Sequence, residues 1–417
     1  MQQKRRMTTQ RVRGLARARA FALAGSLLAG SSQAGGLYLS TLGTPSQGVA
    51  SAGAGAIADD ASTALYNQAG MTRLDDHAIV GGLSPGFGVI EFDAESDTPR
   101  GGGDGGNQGG FLPISSNQYV HKLSDRWRLG LSLVSISGAS LNPKNDWAGR
   151  NELAEISLFS LTLFPAIAFR VTDWLSVGGG AAITYGRLDL RIRLPIPTEP
   201  GVQLKGLDDW EVAPMASVLF ELTPKLRLGV AYQGETSFDL EGKAELGRAD
   251  SHIVMKLPLA QAVRGSVYWE VGDRVALLGS GGWEDWSVAK TLPINVAGQS
   301  TSLPLEFRDT WYVAAGVHVR VGDTWTLQTG FRYDSSALKD SDRTTAIPSD
   351  RVWSLGVGGL HDWSENLRLG FSFLWASLGD APVESNFVDG KYRHNDLFLF
   401  GLNVSWKKLP WSGWGTL

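Results

Sequence analysis

The segment LRLGFSFLW (367–375) decides the fold class of this chain, because large apolar side chains occupy every odd position. Among the even positions are Arg368, Gly370 and Ser372. The segment FLFGLNVSW (398–406) alternates in the same way, with the apolar residues at the even positions. Successive side chains of a β-strand point to opposite faces of its sheet. Both segments therefore predict strands with one apolar face and one small or polar face.

The composition excludes several classes of protein. The chain has 417 residues and no cysteine, so a disulfide framework, a thiolate metal site and a cysteine nucleophile are excluded. Apolar residues make up 43% and charged residues 19%, a balance too apolar for a disordered chain. Outside the extreme N-terminus no run of 18 apolar residues exists, which excludes helical membrane spans.

The N-terminal segment 1–34 has the pattern of a secretory signal peptide. It holds seven lysines and arginines, no acidic residue, a short apolar core at 21–30, and small residues before a cleavage point after Ala34. The alternative, a single membrane anchor, is disfavoured because the apolar core is too short to span a bilayer. Removal of the signal peptide leaves an acidic mature chain, which argues against a nucleic-acid partner.

Short turns of similar sequence recur about every 50 residues along the rest of the chain. They are SDR (124–126), VTD (171–173), TPK (223–225), VGD (271–273), VGD (321–323) and DWSE (362–365). Three of them are followed by one kind of phrase, WRLG (127–130) or LRLG (226–229 and 367–370). Tight turns at one end and longer loops at the other are typical of transmembrane β-barrels.

Tryptophans lie at both ends of the predicted strands. Trp127, Trp174, Trp325 and Trp363 lie beside the tight turns, and Trp147, Trp210, Trp286 and Trp375 lie at the far ends. Indole rings prefer the membrane–water interface, so two aromatic belts are expected. A soluble sandwich would also alternate, but the belts, the long strands and the signal peptide favour an outer-membrane barrel.

The patterns predict an all-β fold, a 14-stranded antiparallel transmembrane β-barrel over residues 78–406. The predicted strands are 78–93, 114–123, 126–137, 156–171, 174–190, 207–222, 225–240, 258–271, 274–289, 305–321, 324–334, 350–361, 365–378 and 394–406. The segment 35–77 has no strand pattern and is rich in glycine and alanine. Because a barrel of this size has a wide lumen, we predict that segment 35–77 forms an N-terminal hatch that plugs the lumen. Residues 407–417 form a C-terminal extension.

Several short motifs resemble the FadL-type long-chain fatty acid transporters of Gram-negative outer membranes. The hatch carries GAIADDA (55–61) and YNQAGM (66–71). Further matches are DWAGR (146–150), DDW (208–210), WEDW (283–286), FRDTW (307–311) and IPSDRVW (347–353). The hatch departs from the family pattern at Gln68, where the family usually has proline, and we expect a looser turn there.

The resemblance implies a function as well as a fold. It implies passive transport of long-chain fatty acids or other hydrophobic molecules, such as aromatic hydrocarbons, captured between extracellular loops. It further implies a lumenal pocket at the start of the hatch and lateral release at a kink in the third strand. The ligand-binding residues expected at that pocket are Gly35, Gly36, Leu37, Tyr38 and Leu39.

The third predicted strand loses its alternation part-way along. Trp127, Leu129, Leu131 and Leu133 alternate regularly, but the sequence then becomes VSISGAS (134–140). Small residues and glycine in a strand mark a bulge, where ladder hydrogen bonds are lost. We therefore predict a lateral opening there, lined from the hatch by Asn67. The wall residues of this predicted gate are Ser135, Ile136, Ser137 and Gly138.

Two arginines are candidate partners for a fatty carboxylate. Arg308 is predicted to share the lumen face of its strand with Tyr312 and His318, and Arg187 is a second candidate whose facing is ambiguous. A cation in an apolar cavity could pair with a carboxylate head group. The alternative for a lumenal arginine is a structural salt bridge with a hatch acid, Asp59 or Asp60.

Other chemistry is disfavoured by context. GLSPG (82–86) fits the serine-hydrolase pattern G-x-S-x-G but lies inside a predicted strand, with no following helix. The six histidines have no metal-ligand spacing, so no metal, cofactor or enzymatic activity is expected. The alternatives to transport are a lipid-modifying enzyme and, less favoured because of the hatch, a general porin. Expected partners are a hydrophobic ligand, outer-membrane lipids and lipopolysaccharide, around a monomer in the Gram-negative outer membrane.

Overall fold

The protein is an antiparallel β-barrel closed by its first and last strands. The computed structural model describes residues 43–95, 101–144, 146–193, 201–246 and 249–407. The N-terminal 42 residues and those after 407 lie outside this range, and with them the predicted signal peptide and most of the C-terminal extension. The last strand pairs with the first from Ile79 opposite Trp406 to Ala94 opposite Gly390, which closes the wall.

Nineteen strand segments make up the wall in the described residues. They are β1 (Ala78–Ala94), β2 (Phe111–Lys122), β3 (Trp127–Leu141), β4 (Glu155–Arg170), β5 (Leu175–Ile192), β6 (Val202–Thr223), β7 (Leu226–Gln233), β8 (Thr236–Leu246), β9 (Ala249–Leu259), β10 (Ala262–Glu270), β11 (Val275–Glu284), β12 (Thr291–Val296), β13 (Gln299–Pro304), β14 (Thr310–Val321), β15 (Trp325–Asp334), β16 (Val352–Asp362), β17 (Leu367–Ser377), β18 (Val383–Glu384) and β19 (Asp389–Trp406). Short 3₁₀ segments lie outside the wall at Ala148–Asn151, Trp286–Ala289 and Asp340–Asp342.

These segments form fourteen barrel strands, as the sequence predicts. β7 continues as β8, β9 continues as β10, and the pairs β11/β12 and β13/β14 each form one strand. The two-residue β18 pairs with the start of β19 and is not a separate barrel strand. The predicted strand 274–289 ends at Glu284, and the predicted strand 305–321 begins at Thr310. The ladder is interrupted before Thr310 because Glu306 has a left-handed φ of 53°.

The outer surface is a band of exposed apolar side chains between two rings of tryptophan. Trp127, Trp174, Trp325 and Trp363 form the ring beside the tight turns, and Trp210 and Trp375 belong to the other. Trp147 and Trp286 were expected in that second ring, but both are buried inside the barrel mouth. Their indole N–H groups donate to Leu153 O and to the Glu284 carboxylate, which compensates their burial.

The segment 43–77 fills the lumen with four short helices, of which the first three are separated by left-handed residues. They are Pro45–Val49, Ala54–Ile57, Thr63–Tyr66 and Gln68–Arg73, of which the first and last are 3₁₀. Glycines of the wall allow this hatch to approach closely. A β-carbon at Gly229 would overlap Gly55 O, and one at Gly330 would overlap Val49 O. Among the described residues, no helix is long and apolar enough to cross a membrane.

Candidate transport path

The outer half of the lumen holds one continuous cluster of buried apolar side chains. Inward-facing residues of almost every strand contribute to it, and the same strands become polar closer to the hatch. In β17 the inward side chains change from Arg368 and Ser372 to Leu374 and Ala376. The cluster includes Phe92, Leu141, Leu188, Leu190, Val202, Leu204, Phe238, Leu240, Ile253, Met255, Leu292, Ile294, Leu374, Leu397 and Leu399. We call this region the apolar chamber.

Buried polar contacts tie the extracellular loops together over the chamber. The Glu152 carboxylate accepts hydrogen bonds from the backbone N–H and the hydroxyl of Thr345, each at 3.1 Å. The Tyr392 hydroxyl donates to Thr345 O at 2.7 Å. Burial raises the pKa of Glu152, while its bonds to Ser385 and Thr345 oppose that shift. Arg343 is fully buried and pairs with Asp340 and Asp350. These described loop segments are therefore joined by buried polar contacts above the chamber.

Two paired arginines lie in the lumen between the chamber and the hatch. Arg332 and Asp334 are both buried, 2.6 Å apart, and the Arg332 guanidinium stacks 3.6 Å from the centre of the Tyr312 ring. Arg264 lies 3.6 Å from the Glu284 carboxylate. Both cations are already compensated by an acid of the wall.

A third lumenal acid, Glu211, faces hydroxyl groups and not an arginine. Glu211 is buried on the inward face of β6, between the exposed Trp210 and Val212. Thr184 and Thr236 direct their hydroxyls at its carboxyl group, and the Thr184 hydroxyl lies 3.1 Å from that of Thr162. The Glu211 Oε2 atom is buried and has no hydrogen-bonding partner.

Arginines of the wall bind the hatch. Arg128 donates to Leu74 O at 2.8 and 3.0 Å, and Arg227 donates to Ala56 O and Ile57 O at 2.9 Å each. Arg368 pairs with the hatch residue Asp59 at 2.9 Å. Two more arginine contacts join Arg170 to Thr72 O and the hatch residue Arg73 to Glu221. The hatch is therefore fixed to strands on several sides of the lumen.

The alternative interpretation of a lumenal arginine, a salt bridge with a hatch acid, is realised at Arg368 and Asp59. Beside them, the pKa of Asp60 is raised to about 6, mainly by burial and to a smaller extent by the neighbouring Asp59 carboxylate. Asp59 and Arg368 also line a polar cavity of about 440 Å³ with His318, among turns of β10–β11 and β14–β15.

The third strand is irregular where the sequence predicts it. In the described part of the chain, β2 pairs with β3 only as far as Ile114 opposite Ile136, and the rest of β3 has no ladder partner on that side. On its other side, the register with β4 shifts between Ile136 and Ala139. The backbone ladder is therefore interrupted beside Ser137 and Gly138.

Three predicted site residues lie elsewhere than expected. The Asn67 amide donates to Gly55 O at 2.7 Å and to Val218 O of β6 at 3.1 Å, so it faces β6 and β7 and does not line the third strand. Its Oδ1 accepts from Ala69 N–H, which closes the turn at Gln68 without the family's proline. Hatch geometry, which the sequence does not encode locally, decides this facing.

The two candidate arginines are not on the lumen face. Arg308 precedes β14, is exposed, and donates to Ser336 O and Leu338 O. Arg187 points outward from β5 and pairs with Asp189 at 3.2 Å, because the alternate residues Gly186 and Leu188 are the inward ones. The predicted pocket residues Gly35, Gly36, Leu37, Tyr38 and Leu39 lie outside the described residues.

The hatch-binding arginines were not identified from the sequence, although a signal for them exists. In each phrase WRLG or LRLG, the arginine and the glycine share the inward face. The arginine reaches the hatch, and in two of the three phrases the hatch packs on the glycine. Met71 lies against Gly130, and Gly55 O lies against Gly229. The repeated phrase therefore specifies the hatch contact as well as the strand.

A family model for outer membrane protein transport proteins (OMPP1/FadL/TodX) matches residues 25–407. The chain belongs to this family. It is accordingly a transport protein of the Gram-negative outer membrane and not an enzyme.

Known members of the family resemble the chain over nearly its whole length. It is 24% identical over 443 residues to the long-chain fatty acid transport protein of Escherichia coli O6:H1, covering 93% of this chain and 97% of that protein. The crystal structure of a Pseudomonas aeruginosa FadL homologue superposes with a TM-score of 0.81 at 20% identity, covering 88% and 99%. The Ralstonia pickettii toluene transporter TbuX superposes with a TM-score of 0.69 at 17% identity, covering 89% and 99%. The fold of this OMPP1/FadL/TodX member is therefore that of the family.

Proposed function

We propose that the protein carries hydrophobic molecules from the extracellular side through the apolar chamber and releases them sideways into the membrane at β3. The observation that carries this proposal is the position of the interrupted β2–β3 ladder beside an apolar chamber whose floor is a fixed hatch. A bound hatch closes the straight route, and a missing ladder leaves a gap in the wall. The names of the relatives suggest long-chain fatty acids or aromatic hydrocarbons as substrates.

Transport is proposed to be passive, because the sequence has no nucleotide-binding motif. Residues 35–39 are proposed to close the lower end of the chamber, next to the hatch. The exposed apolar band is the surface that outer-membrane lipids and lipopolysaccharide would surround, and we propose that the functional unit is one barrel.

The experiment is to fill the proposed gap while leaving the chamber intact. Gly138→Trp and Ser137→Trp should reduce uptake of a labelled hydrophobic molecule into liposomes by more than tenfold, with ligand binding to the purified protein retained. Gly265→Trp is the matched control, because Gly265 lies in β10, where a β-carbon has no close neighbour. Unchanged uptake in both gap variants would refute lateral release, and loss of binding would show that the chamber had been damaged instead.

A further inference from the structure

The floor of the apolar chamber on the β4–β8 side holds a buried acidic side chain with no paired cation among the described residues. Glu211 is 6% exposed and inward-facing. The side chain of Asp209, two residues away, is a second acidic group close enough to interact electrostatically with Glu211. In the described part of the chain, no lysine or arginine forms an ion pair with Glu211. A buried carboxylate that lacks a cation is stabilised only by hydrogen-bond donors.

The donors on hand do not satisfy this carboxylate. Thr184 and Thr236 point hydroxyls at the group, yet Oε2 is buried and unpartnered. One acceptor atom of this inward-facing side chain is thus left without a donor in the described residues. Elsewhere at this level the lumenal cations are already paired, Arg332 with Asp334 and Arg264 with Glu284. Among the described residues a carboxylate head group would find no unpaired cation at this level, and an ionised Glu211 would repel it.

Glu211 also lies on the proposed route. Along the registered row, Glu211 is opposite Thr184, Thr184 is opposite Thr162, and Thr162 is opposite Val134 of β3. Val134 precedes the register shift between Ile136 and Ala139. With strands about 4.8 Å apart, three steps place Glu211 about 14 Å from β3 across the wall. On the extracellular side of Glu211, the inward faces of the neighbouring strands carry the chamber residues Leu188, Leu207 and Phe238.

We propose that the path selects hydrophobic molecules whose polar end donates a hydrogen bond, such as an alcohol, a phenol or an amine, and that Glu211 Oε2 is the acceptor. The apolar part of the ligand lies in the chamber, and its polar end moves along the row from Glu211 through Thr184 and Thr162 to the wall opening. This specificity rests on the proposed function and narrows its substrates, because it favours hydrophobic molecules with a hydrogen-bond donor over fatty carboxylates and over hydrocarbons without a polar end.

The test compares ligands that share one alkyl chain and differ only at the polar end. Decan-1-ol, its methyl ether and decanoate are used to displace a fluorescent hydrophobic probe from the purified full-length protein. We expect decan-1-ol to bind about tenfold more tightly than either of the others, which is about 1.4 kcal/mol. In Glu211→Gln, an isosteric change, the preference over both compounds should fall below about threefold, because decan-1-ol loses its acceptor and decanoate is no longer repelled.

Glu270→Gln is the matched control. It makes the same change of side chain at the polar cavity below the hatch, and this variant should keep the preference for decan-1-ol. Equal binding of the three compounds by the unaltered protein would overturn the proposal. A preference that persists in Glu211→Gln would also overturn it. Failure of all three compounds to bind would instead contradict the proposed function itself.

Discussion

A disulfide between the hatch and the wall separates lateral release from displacement of the plug. The Gly55 backbone N–H donates to the Ser266 hydroxyl at 3.3 Å, and a β-carbon built on Gly55 lies 3.4 Å from that of Ser266. Disulfides join β-carbons about 3.5–4.5 Å apart, so Gly55→Cys with Ser266→Cys needs a shift of about a tenth of an ångström. The chain has no cysteine of its own, so no other pairing competes.

The expected effects of the disulfide on stability and on uptake follow from the separation of the two cysteines in the chain and from the proposed transport route. The two positions are 211 residues apart, and in the chain-entropy model a ring of that size stabilises the folded state by about 5 kcal/mol. The oxidised hatch therefore cannot leave the lumen during transport. Since the proposed route does not move this part of the hatch, uptake by the oxidised protein should stay within about twofold of the reduced protein.

The assay is uptake of a labelled hydrophobic molecule into liposomes, measured before and after reduction of the same preparation. Ser266→Cys alone is the control for the loss of the serine hydroxyl, which also lies 2.9 Å from that of Ser280. Mass spectrometry confirms the cross-link. A drop of more than tenfold that reduction restores would refute the argument, because it would show that the hatch must move.

Further predictions concern the hatch. Arg227→Met should expose the hatch to protease and raise ion conductance in planar bilayers, because it leaves two hatch carbonyls without their donor; unchanged conductance would contradict the anchoring role. Deletion of 35–39 should weaken ligand binding or raise leak while the barrel stays folded, and full binding without leak would exclude those residues from the pocket. Because the pKa of Asp60 is raised to about 6, the neutral acid favours hatch docking at low pH, and that stability is lost as pH rises through 6. Asp60→Asn should abolish this loss, of up to about 3 kcal/mol, in protease protection measured from pH 4 to 8.

The wall was predictable because lipid and lumen impose a two-residue period along every strand. Inward and outward faces are distinguishable in segments such as 367–375, and the tight turns fix the strand count. The interruption of β3 was also predictable, since small residues and glycine replace the apolar alternation there. In these respects local sequence and membrane physics give the same answer.

The lumen was less predictable, because its contacts join residues far apart in the chain. Facing within the hatch depends on how four short helices fold against the wall, so Asn67 was assigned to the wrong strand. Arg308 fits the inward parity of β14, but the strand begins only at Thr310, after the left-handed Glu306. The alternation of inward and outward side chains cannot be extended from a strand to residues beyond such an interruption. The hatch-binding Arg128, by contrast, follows a tight turn closely, where parity still holds.

Closing the β2–β3 gap reversibly tests the central claim most directly. Leu112 and Gly138 each lie two residues past the last registered pair, Ile114 opposite Ile136, so a disulfide between Leu112→Cys and Gly138→Cys would hold the two sides of the proposed gap together. We predict that oxidation lowers uptake by more than tenfold, that ligand binding is retained, and that a reducing agent restores uptake. Equal uptake by the oxidised and reduced protein, with the cross-link confirmed by mass, would contradict release through the wall at β3.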